Sequence, residues 1–354
     1  MTTAHTYGQL TYPEISAQAD ALAAALKQLE VQKDWVDRFI GNPAFDEIIF
    51  IGSGSSYYQA QTMAATYKKW VGRPASAHPS SEIYLFRDAA TVPGRQYLLV
   101  GVSRSGESTE VILALESVKD VPGWTTCGIT CHEDSKMAQL AECLVSPLGK
   151  EKSTVMTKSL SSMTFMMQAA SALASGKADL FAEAAKVVQA DAAVVQAADP
   201  FAKTFVQNHE LHKFVYLGMG SYYGLSQEAC LKIKEMSYVW TESFGTLEFR
   251  HGPKSIVEPG TLVCLLLSET ARSYELKVAE EMKEYGATVL IVTARKGDDT
   301  AFADAVFETG GADWSDESRG VLYLPVLQYI GFYTALKKNV DPDHPRNLTQ
   351  VVKI

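Results

Sequence analysis

A short pattern that occurs twice constrains the fold of this 354-residue chain more than any other feature. An apolar run at 48–51 leads into Gly52-Ser-Gly-Ser-Ser-Tyr-Tyr58, and a second run at 214–217 leads into Gly218-Met-Gly-Ser-Tyr-Tyr223. Each copy combines a short buried strand, a glycine-rich turn and two adjacent tyrosines at the start of a helix. Because the copies lie in opposite halves of the chain, they indicate an internal duplication of one α/β unit.

Further short segments, most of them apolar, predict more strands in both halves of the chain. These lie at 76–78, 83–86, 97–102, 126–130, 143–145, 262–267, 289–292 and 321–324. Helical patterns fall between many of them, including 57–70, 273–285 and 326–338, and residues 9–40 are also helical in pattern. Strands that alternate with helices favour a parallel sheet covered on both faces, with ligands at the carboxyl ends of the strands. The predicted fold class is therefore α/β, with two similar doubly wound parallel-sheet domains.

Changes in pattern along the chain predict where these domains begin and end. The predicted parts are an N-terminal helical segment (1–40), a first domain (41–158), a helical connector (159–210), a second domain (211–340) and a C-terminal tail (341–354).

Composition restricts the partners and the compartment. The net charge of -9 argues against nucleic acid or an anionic membrane surface, because both require basic faces. No signal-like N-terminal run and no apolar run of membrane-spanning length is present, so we expect a cytoplasmic protein. The five cysteines form no CxxC pair and no zinc pattern, which predicts reduced thiols and no metal site.

The residues Gly101-Val-Ser-Arg-Ser-Gly-Glu-Ser-Thr109 follow a predicted strand and precede a helical pattern. A helix N-terminus offers unpaired N–H groups and partial positive charge, and serine hydroxyls beside it can donate to a phosphate. Serine and threonine are also ordinary helix-capping residues. The turn by itself is therefore compatible with either an anion site or a simple helix cap.

Four motifs in a fixed order resemble the sugar isomerase (SIS) domain family. They are Gly54-Ser-Ser56, Ser103-Arg-Ser-Gly-Glu-Ser108, Lys232-Ile-Lys-Glu-Met-Ser-Tyr238 with Glu248-Phe-Arg-His-Gly-Pro253, and Pro345-Arg-Asn-Leu348. Together they span almost the whole chain. The chain is similar to the isomerase half of glucosamine-6-phosphate synthase and to the deaminase and ketose/aldose isomerase relatives of that half. Two SIS domains with a flavodoxin-like fold are what this resemblance implies.

The resemblance also implies roles for individual residues. Glu235 and His251 are the expected catalytic residues. The expected substrate- and phosphate-binding residues are Ser55, Ser56, Ser103, Arg104, Ser105, Ser108, Thr154 and Lys232. From the residues alone, other interpretations stay open: Glu235 as a solvated helix carboxylate, His251 as a loop-ordering residue, and Thr154 as a helix cap.

The chemistry of sugar phosphates fits this assignment. Opening the sugar ring requires an acid/base near neutral pH, which suits the imidazole of His251. Moving a proton between C1 and C2 requires one carboxylate that reaches both carbons, and Glu235 suits that role. Neither step requires a metal or an organic cofactor, so none is predicted.

The expected function is deamination of glucosamine or galactosamine 6-phosphate to a ketose 6-phosphate and ammonia. Water would attack the C2 imine that the proton transfer produces. A tagatose-6-phosphate-type isomerase and a fructosamine-6-phosphate deglycase are alternatives, and a non-catalytic sugar-phosphate sensor is a third. The chain starts directly at the helical segment, so no glutaminase domain and no full synthase activity are expected. In the family the histidine reaches a neighbouring subunit's site, which implies a homodimer.

Overall fold

The computed structural model describes residues 7–352 of the chain. Its α-helices, labelled in chain order, are α1 (Thr11–Ser16), α2 (Gln18–Val31), α3 (Lys33–Arg38), α4 (Ser55–Val71), α5 (Ser80–Leu85), α6 (Arg87–Ala90), α7 (Thr109–Val118), α8 (Lys136–Leu140), α9 (Lys158–Ala174), α10 (Ala178–Asn208), α11 (Tyr222–Ser237), α12 (Arg272–Glu284) and α13 (Asp316–Lys337). Its strands are β1 (Glu47–Gly52), β2 (Ala75–Pro79), β3 (Tyr97–Val102), β4 (Trp124–Thr130), β5 (Cys143–Val145), β6 (Lys213–Leu217), β7 (Thr241–Phe244), β8 (Thr261–Leu266), β9 (Thr288–Thr293) and β10 (Ala305–Glu308). Short 3₁₀ helices lie at Glu248–Arg250, Pro253–Ile256 and Asp298–Thr300.

The strands form two parallel five-stranded sheets, which confirms the predicted fold class. The first sheet has the order β2-β1-β3-β4-β5, and the second has the order β7-β6-β8-β9-β10. Both orders are 2-1-3-4-5 counted within each sheet, the flavodoxin-like doubly wound arrangement. The identical order supports the internal duplication that the two glycine-rich turns predict.

The central strand of each sheet is apolar and buried along its whole length, as in a parallel sheet covered on both faces. In the first sheet, Leu99 pairs in register with Ile49 of β1. In the second sheet, Val263 pairs with Val215 of β6. Burial of each such aliphatic side chain contributes about 1.5–3 kcal/mol, so these strands hold the carboxyl-end turns on a rigid base.

The glycines of the two repeated turns are required by close packing. A Cβ on Gly52 would lie 2.4 Å from the backbone carbon of Ser56, and a Cβ on Gly218 would lie 2.5 Å from the carbonyl oxygen of Tyr222. Each strand therefore passes directly against the first turn of the following helix. Gly54 and Gly220 both have φ of +57°, a conformation that glycine adopts without strain.

Two predicted strands are wrong. Residues 83–86 lie largely in α5, and residues 321–324 lie inside α13, which also includes the helix predicted at 326–338. Residues 321–324 are buried on all sides, whereas Leu85 and Phe86 of the other run are exposed. Both runs have only four residues, which is too short for periodicity to separate a strand from a helix. The structure adds two edge strands, β7 and β10, that the sequence analysis did not predict. The other predicted strands are all present.

The remaining helical predictions are confirmed, with breaks. Residues 9–40 form three helices, α1 to α3, and residues 159–210 form α9 and α10, which are separated at Ser175–Lys177. All five cysteines are buried free thiols. Within residues 7–352, no helix has the length and apolar character that a membrane crossing requires.

The described residues divide into two compact units. The first-repeat unit contains the first sheet and consists of residues 19–151, 158–188 and 349–352. The second-repeat unit contains the second sheet and consists of residues 7–18, 152–157 and 189–348.

Candidate active site

The serine-rich turn between β3 and α7 is organised by the Ser103 hydroxyl. Ser103 Oγ accepts a hydrogen bond from the backbone N–H of Gly106 at 3.0 Å and lies 3.3 Å from Ser108 Oγ. Ser105 Oγ accepts from the N–H of Glu107 at 3.1 Å. Ser103 is buried, whereas Ser105 and Ser108 are half-buried. The turn therefore presents Ser105 and Ser108 beside the N-terminus of α7, where an anion is stabilised.

The Arg104 side chain does not extend toward this anion site but forms a buried ion pair. Its Nη1 lies 3.3 Å from Oε2 of Glu151, and its Nη2 donates to the carbonyl oxygen of Gln350 at 3.3 Å. Glu151 also accepts hydrogen bonds from the backbone N–H and the hydroxyl of Ser159, at 3.0 and 2.6 Å. Much of the Arg104 charge is thus compensated within the protein, and its contact with a phosphate stays a prediction.

The C-terminal tail lies at the same turn. The backbone N–H and the hydroxyl of Thr109 both donate to the carbonyl oxygen of Val352, at 3.4 and 3.3 Å. An oxygen of partial negative charge therefore already occupies part of the N-terminus of α7, as expected for unpaired N–H groups.

Ser55 and Ser56 form the first residues of α4, directly after the Gly52–Gly54 turn. Both are buried, with 6% and 7% of their surface exposed. The structure therefore places all of the predicted phosphate-binding serines at the carboxyl ends of the adjacent strands β1 and β3, within the first-repeat unit.

The predicted catalytic glutamate belongs to a charged cluster on one face of α11. Lys232 Nζ lies 3.2 Å from Oε1 of Glu228 and donates a hydrogen bond to Oε2 of Glu235. The side chains of Lys232 and Glu228 are each only 1% exposed, whereas that of Glu235 is 15% exposed. Glu235 is therefore the member of this cluster that solvent, and hence a substrate, can reach.

The two carboxylates determine the charge state of the lysine. Burial by itself would lower the pKa of Lys232, but the negative charges of Glu228 and Glu235 outweigh burial and raise it. Lys232 therefore remains an ammonium ion at neutral pH and serves as a fixed positive charge beside Glu235. Glu228 was missed by the sequence analysis, although its i,i+4 spacing to Lys232 on a helix was an available signal.

The end of α11 is held by the C-terminal segment of the same unit. Tyr238 ends the helix in the left-handed conformation, with φ of +58°. Its hydroxyl accepts from the backbone N–H of Arg346 at 2.7 Å, and the Arg346 guanidinium stacks over its ring at 4.3 Å. The predicted Pro345–Leu348 motif thus supports the helix that carries Glu235.

His251 lies in a turn between two 3₁₀ helices. The turn is anchored on one side by Phe249 in the core and on the other by Glu281 of α12, which pairs with both Arg250 and Lys254. His251 itself is exposed, and within residues 7–352 its imidazole forms no hydrogen bond or ion pair. A fixed backbone therefore presents this imidazole to the outside of the chain.

Thr154 lies in the short segment 152–157, which belongs to the second-repeat unit. Its backbone N–H donates to the carbonyl oxygen of Asp343 at 3.3 Å. Glu14 of α1 accepts from the N–H groups of Lys152 and Ser153, so the segment is held by backbone hydrogen bonds on both sides.

The structure brings Lys232 and Glu235 into direct contact. In the described chain, Glu235 and His251 share no hydrogen bond or ion pair, although both belong to the second-repeat unit. No group of three or more potential metal ligands occurs in residues 7–352.

Comparison with known proteins finds relatives that are named for sugar phosphates. A glutamine–fructose-6-phosphate aminotransferase (isomerizing) from Clostridium acetobutylicum is 27% identical over 323 residues, covering 87% of this chain and 52% of that protein. The chain thus spans about half the length of the curated relatives it matches. A solved glucosamine-6-phosphate deaminase from Thermotoga maritima is 28% identical with a TM-score of 0.72, covering 94% of this chain and 100% of that one.

A second solved structure shows the likeness of the fold. Tagatose-6-phosphate ketose/aldose isomerase from Escherichia coli has a TM-score of 0.87 at 24% identity, covering 98% of this chain and 100% of that one. The SIS domain family matches residues 45–175 and 209–311, and each matched segment contains one of the two parallel sheets. The chain belongs to the SIS domain family.

Proposed function

We propose that this chain is an isomerase-type deaminase that converts an amino-sugar 6-phosphate, glucosamine or galactosamine 6-phosphate, to a ketose 6-phosphate and ammonia. The observation that carries the proposal is the cluster on α11, in which a partly exposed carboxylate, Glu235, is fixed by a buried ammonium ion, Lys232. A proton shuttle between adjacent carbons requires a carboxylate held in place yet open to the substrate.

The phosphate of the substrate would bind at the serine-rich turn of the first-repeat unit. Ser105 and Ser108 would donate hydroxyl hydrogen bonds there, and the N-terminus of α7 would stabilise the negative charge. Ser55 and Ser56 lie at the neighbouring strand end and complete the proposed phosphate site. These contacts are far from the reacting carbons in a hexose 6-phosphate, so they position the substrate and do not take part in bond changes.

The reaction would proceed by proton transfer in the open-chain sugar. Glu235 removes the C2 proton of the amino aldose, and the aldehyde oxygen takes a proton from water, which gives an enolamine and a hydroxide ion. Glu235 then returns its proton to C1, which leaves an imine at C2. Water adds to this imine, and ammonia leaves from C2 as the ketone forms. Lys232 stays protonated throughout and keeps the Glu235 carboxylate in position.

His251 would open the sugar ring before this proton transfer. Its imidazole is exposed on an anchored turn, which supports a role toward a substrate bound by a second copy of the chain. The proposed active unit is therefore a homodimer, in which His251 contributes to the neighbouring subunit's site.

A solved relative whose printed name gives deamination as its activity supports the deaminase. The relative whose printed activity is deamination is 28% identical, whereas the likeness to the tagatose-6-phosphate isomerase is one of fold. This chain matches about half of each longer aminotransferase, and the aminotransferase activity is not part of the proposed function.

A coupled assay for ammonia and ketose 6-phosphate on a panel of hexosamine 6-phosphates, aldose 6-phosphates and 6-phosphorylated fructosamines tests the proposal. We expect ammonia and ketose 6-phosphate in equal amounts from a hexosamine 6-phosphate, and loss of both with Glu235→Gln. Glu280→Gln, which changes an exposed carboxylate on α12, is the matched control and should retain activity. Normal ammonia release by Glu235→Gln would refute the mechanism. Turnover of aldose phosphates or fructosamines alone would refute the substrate assignment.

A further inference from the structure

The two repeats fold their second turn around the same hydrogen bond. In the first repeat, Ser103 Oγ accepts from the N–H of Gly106 at 3.0 Å. In the second repeat, Ser268 Oγ accepts from the N–H of Ala271, also at 3.0 Å. Both serines follow the central strand of their sheet, β3 or β8. The turns 103–106 and 268–271 are therefore structural counterparts, and Thr270 corresponds to Ser105.

The turn of the second repeat already holds an oxyanion, the carboxylate of Asp316. The backbone N–H of Glu269 donates to Asp316 Oδ1 at 2.8 Å, and the N–H of Thr270 donates to Oδ2 at 3.1 Å. The Thr270 hydroxyl donates to the same Oδ2 at 2.5 Å. Successive backbone N–H groups and a hydroxyl that converge on one anion form a typical anion-binding concavity.

A buried cation completes this site. Arg319 has no exposed surface, and its guanidinium forms an ion pair with Asp316. Burial by itself would raise the pKa of Asp316, but the hydrogen bonds from Thr270 and Glu269 and the charge of Arg319 outweigh burial and lower it. The donors are thus arranged for a charged oxyanion and not for a neutral acid.

The neighbouring residue of α13 faces the other turn of the second repeat. Ser221 Oγ donates to Oε1 of Glu317 at 3.4 Å, and Glu317 is buried. Ser221 ends the Gly218–Ser221 turn, the counterpart of Gly52–Ser55. The first turn of α13 therefore supplies a carboxylate to each of the two turns that correspond to the serine-rich turns of the first repeat.

The first repeat differs at this point. Ser105 Oγ accepts from the N–H of Glu107, and within residues 7–352 no carboxylate accepts a hydrogen bond from Ser105. In the described part of the chain, the carboxylate that Thr270 binds in the second repeat thus has no counterpart on Ser105 of the first.

We propose that the turn Ser268–Ala271 is a second oxyanion site whose permanent occupant is the Asp316 carboxylate. The chain's own anion excludes phosphate from the second repeat and restricts phosphate binding to the first. Removing the Asp316 side chain leaves the N–H groups of Glu269 and Thr270, the Thr270 hydroxyl and the Arg319 guanidinium around an empty space. That space accepts a small free oxyanion, and inorganic phosphate is the probe.

The test measures the melting temperature, Tm, of Asp316→Ala in inorganic phosphate and in chloride at matched ionic strength. The substitution should lower Tm by roughly 10 °C in chloride, because it leaves a buried arginine without its counter-ion. Millimolar phosphate should restore at least half of this loss. Acetate, which replaces the deleted carboxylate directly, should also restore Tm. The same measurements in a Ser105→Ala background weaken the contribution of the first-repeat turn, so that a phosphate effect that persists there comes from the second site.

Ser315→Ala is the matched control. Ser315 caps α13 by accepting from the N–H of Ser318, so its loss weakens the same helix end while Asp316 stays in place. Phosphate should not restore the Tm of this variant beyond the chloride control. Equal phosphate effects on Ser315→Ala and Asp316→Ala would overturn the proposal.

Two further outcomes decide the proposal. No phosphate-specific rise in Tm for the Ser105→Ala/Asp316→Ala double variant would overturn it, as would rescue by acetate alone. If Asp316→Ala is unfolded in chloride, its circular dichroism is titrated with phosphate instead. Folding that depends on phosphate supports the site, and an unfolded chain at every phosphate concentration refutes it. Neither readout uses catalytic turnover, so the result is independent of the proposed deaminase activity.

Discussion

Arg104 and Glu151 form a buried ion pair beneath the serine-rich turn of the first repeat, with Nη1 and Oε2 3.3 Å apart. The side chain of Arg104 is 8% exposed, and that of Glu151 has no exposed surface. Glu151 is fixed in turn by Ser159 at the start of α9. The turn that is proposed to bind phosphate is thus tied through Arg104 to the core of its own unit.

Breaking this pair should destabilise the protein. We expect Arg104→Met to lower the free energy of unfolding by about 3 kcal/mol, because the buried Glu151 carboxylate loses the positive charge of Arg104. The double variant Arg104→Met/Glu151→Met should recover much of the loss, since it removes both charges. Urea unfolding of the wild type, the single variant and the double variant measures the three free energies of unfolding. Arg38→Met, which breaks an exposed pair with Glu142, is the control and should change little. Equal stability of Arg104→Met and the wild type would contradict the expectation.

Ser105→Ala should affect substrate binding more than turnover. Loss of one hydroxyl donor to a phosphate should raise KM about tenfold while kcat changes by less than about threefold. Steady-state kinetics on the hexosamine 6-phosphate that the protein converts provide the measurement. Ser117→Ala, at the opposite end of α7, is the matched control. A fall in kcat with an unchanged KM would place Ser105 in the chemical step instead.

His251→Ala should chiefly lower kcat, by about a hundredfold, because ring opening loses its acid/base. In the proposed dimer, mixing His251→Ala with Glu235→Gln should restore activity. Each mixed dimer has one site with both residues intact, so we expect about a quarter of the wild-type activity after exchange of subunits. The assay follows ammonia release with time after mixing. Activity that never exceeds that of either parent variant would show that Glu235 and His251 act within one chain.

Asp191 should make stability depend on pH. Burial raises the pKa of this residue from 3.8 to about 7, although Gln18 Nε2 donates to its Oδ1 at 2.8 Å. Because the folded pKa lies above the unfolded value, the contribution of Asp191 is fully present below about pH 4 and is lost as pH rises through about 7.

Asp191→Asn should therefore be more stable than the wild type above pH 7, by on the order of 4 kcal/mol, and this advantage should vanish toward pH 4. Urea unfolding across this pH range provides the measurement. Asp20→Asn, on the exposed face of α2, is the control. Its free energy of unfolding should depend on pH in the same way as that of the wild type. A constant difference between Asp191→Asn and the wild type at every pH would contradict the assignment.

Much of the fold followed from local pattern. The repeated glycine-rich turns and the spacing of apolar runs predicted two parallel α/β units, because the turn at Gly52 or Gly218 admits no side chain whatever surrounds it. The candidate site residues came from motifs whose order and residue types are visible in the sequence. The errors at 83–86 and 321–324 arose in apolar runs of four residues, which are too short for periodicity to separate a helix from a strand.

The repeat, the turns and the residue types available for chemistry therefore follow from the order of the amino acids alone. The tertiary structure determines which charged side chains form ion pairs and hydrogen bonds with each other. Arg104 finds Glu151, Lys232 is enclosed by Glu228 and Glu235, and Asp316 occupies the turn that corresponds to the proposed phosphate site. The pairs Arg104–Glu151 and Asp316–Thr270 join residues far apart in the chain, and the energy of a charge depends on its burial and its neighbours in space, neither of which has a fixed spacing along the sequence.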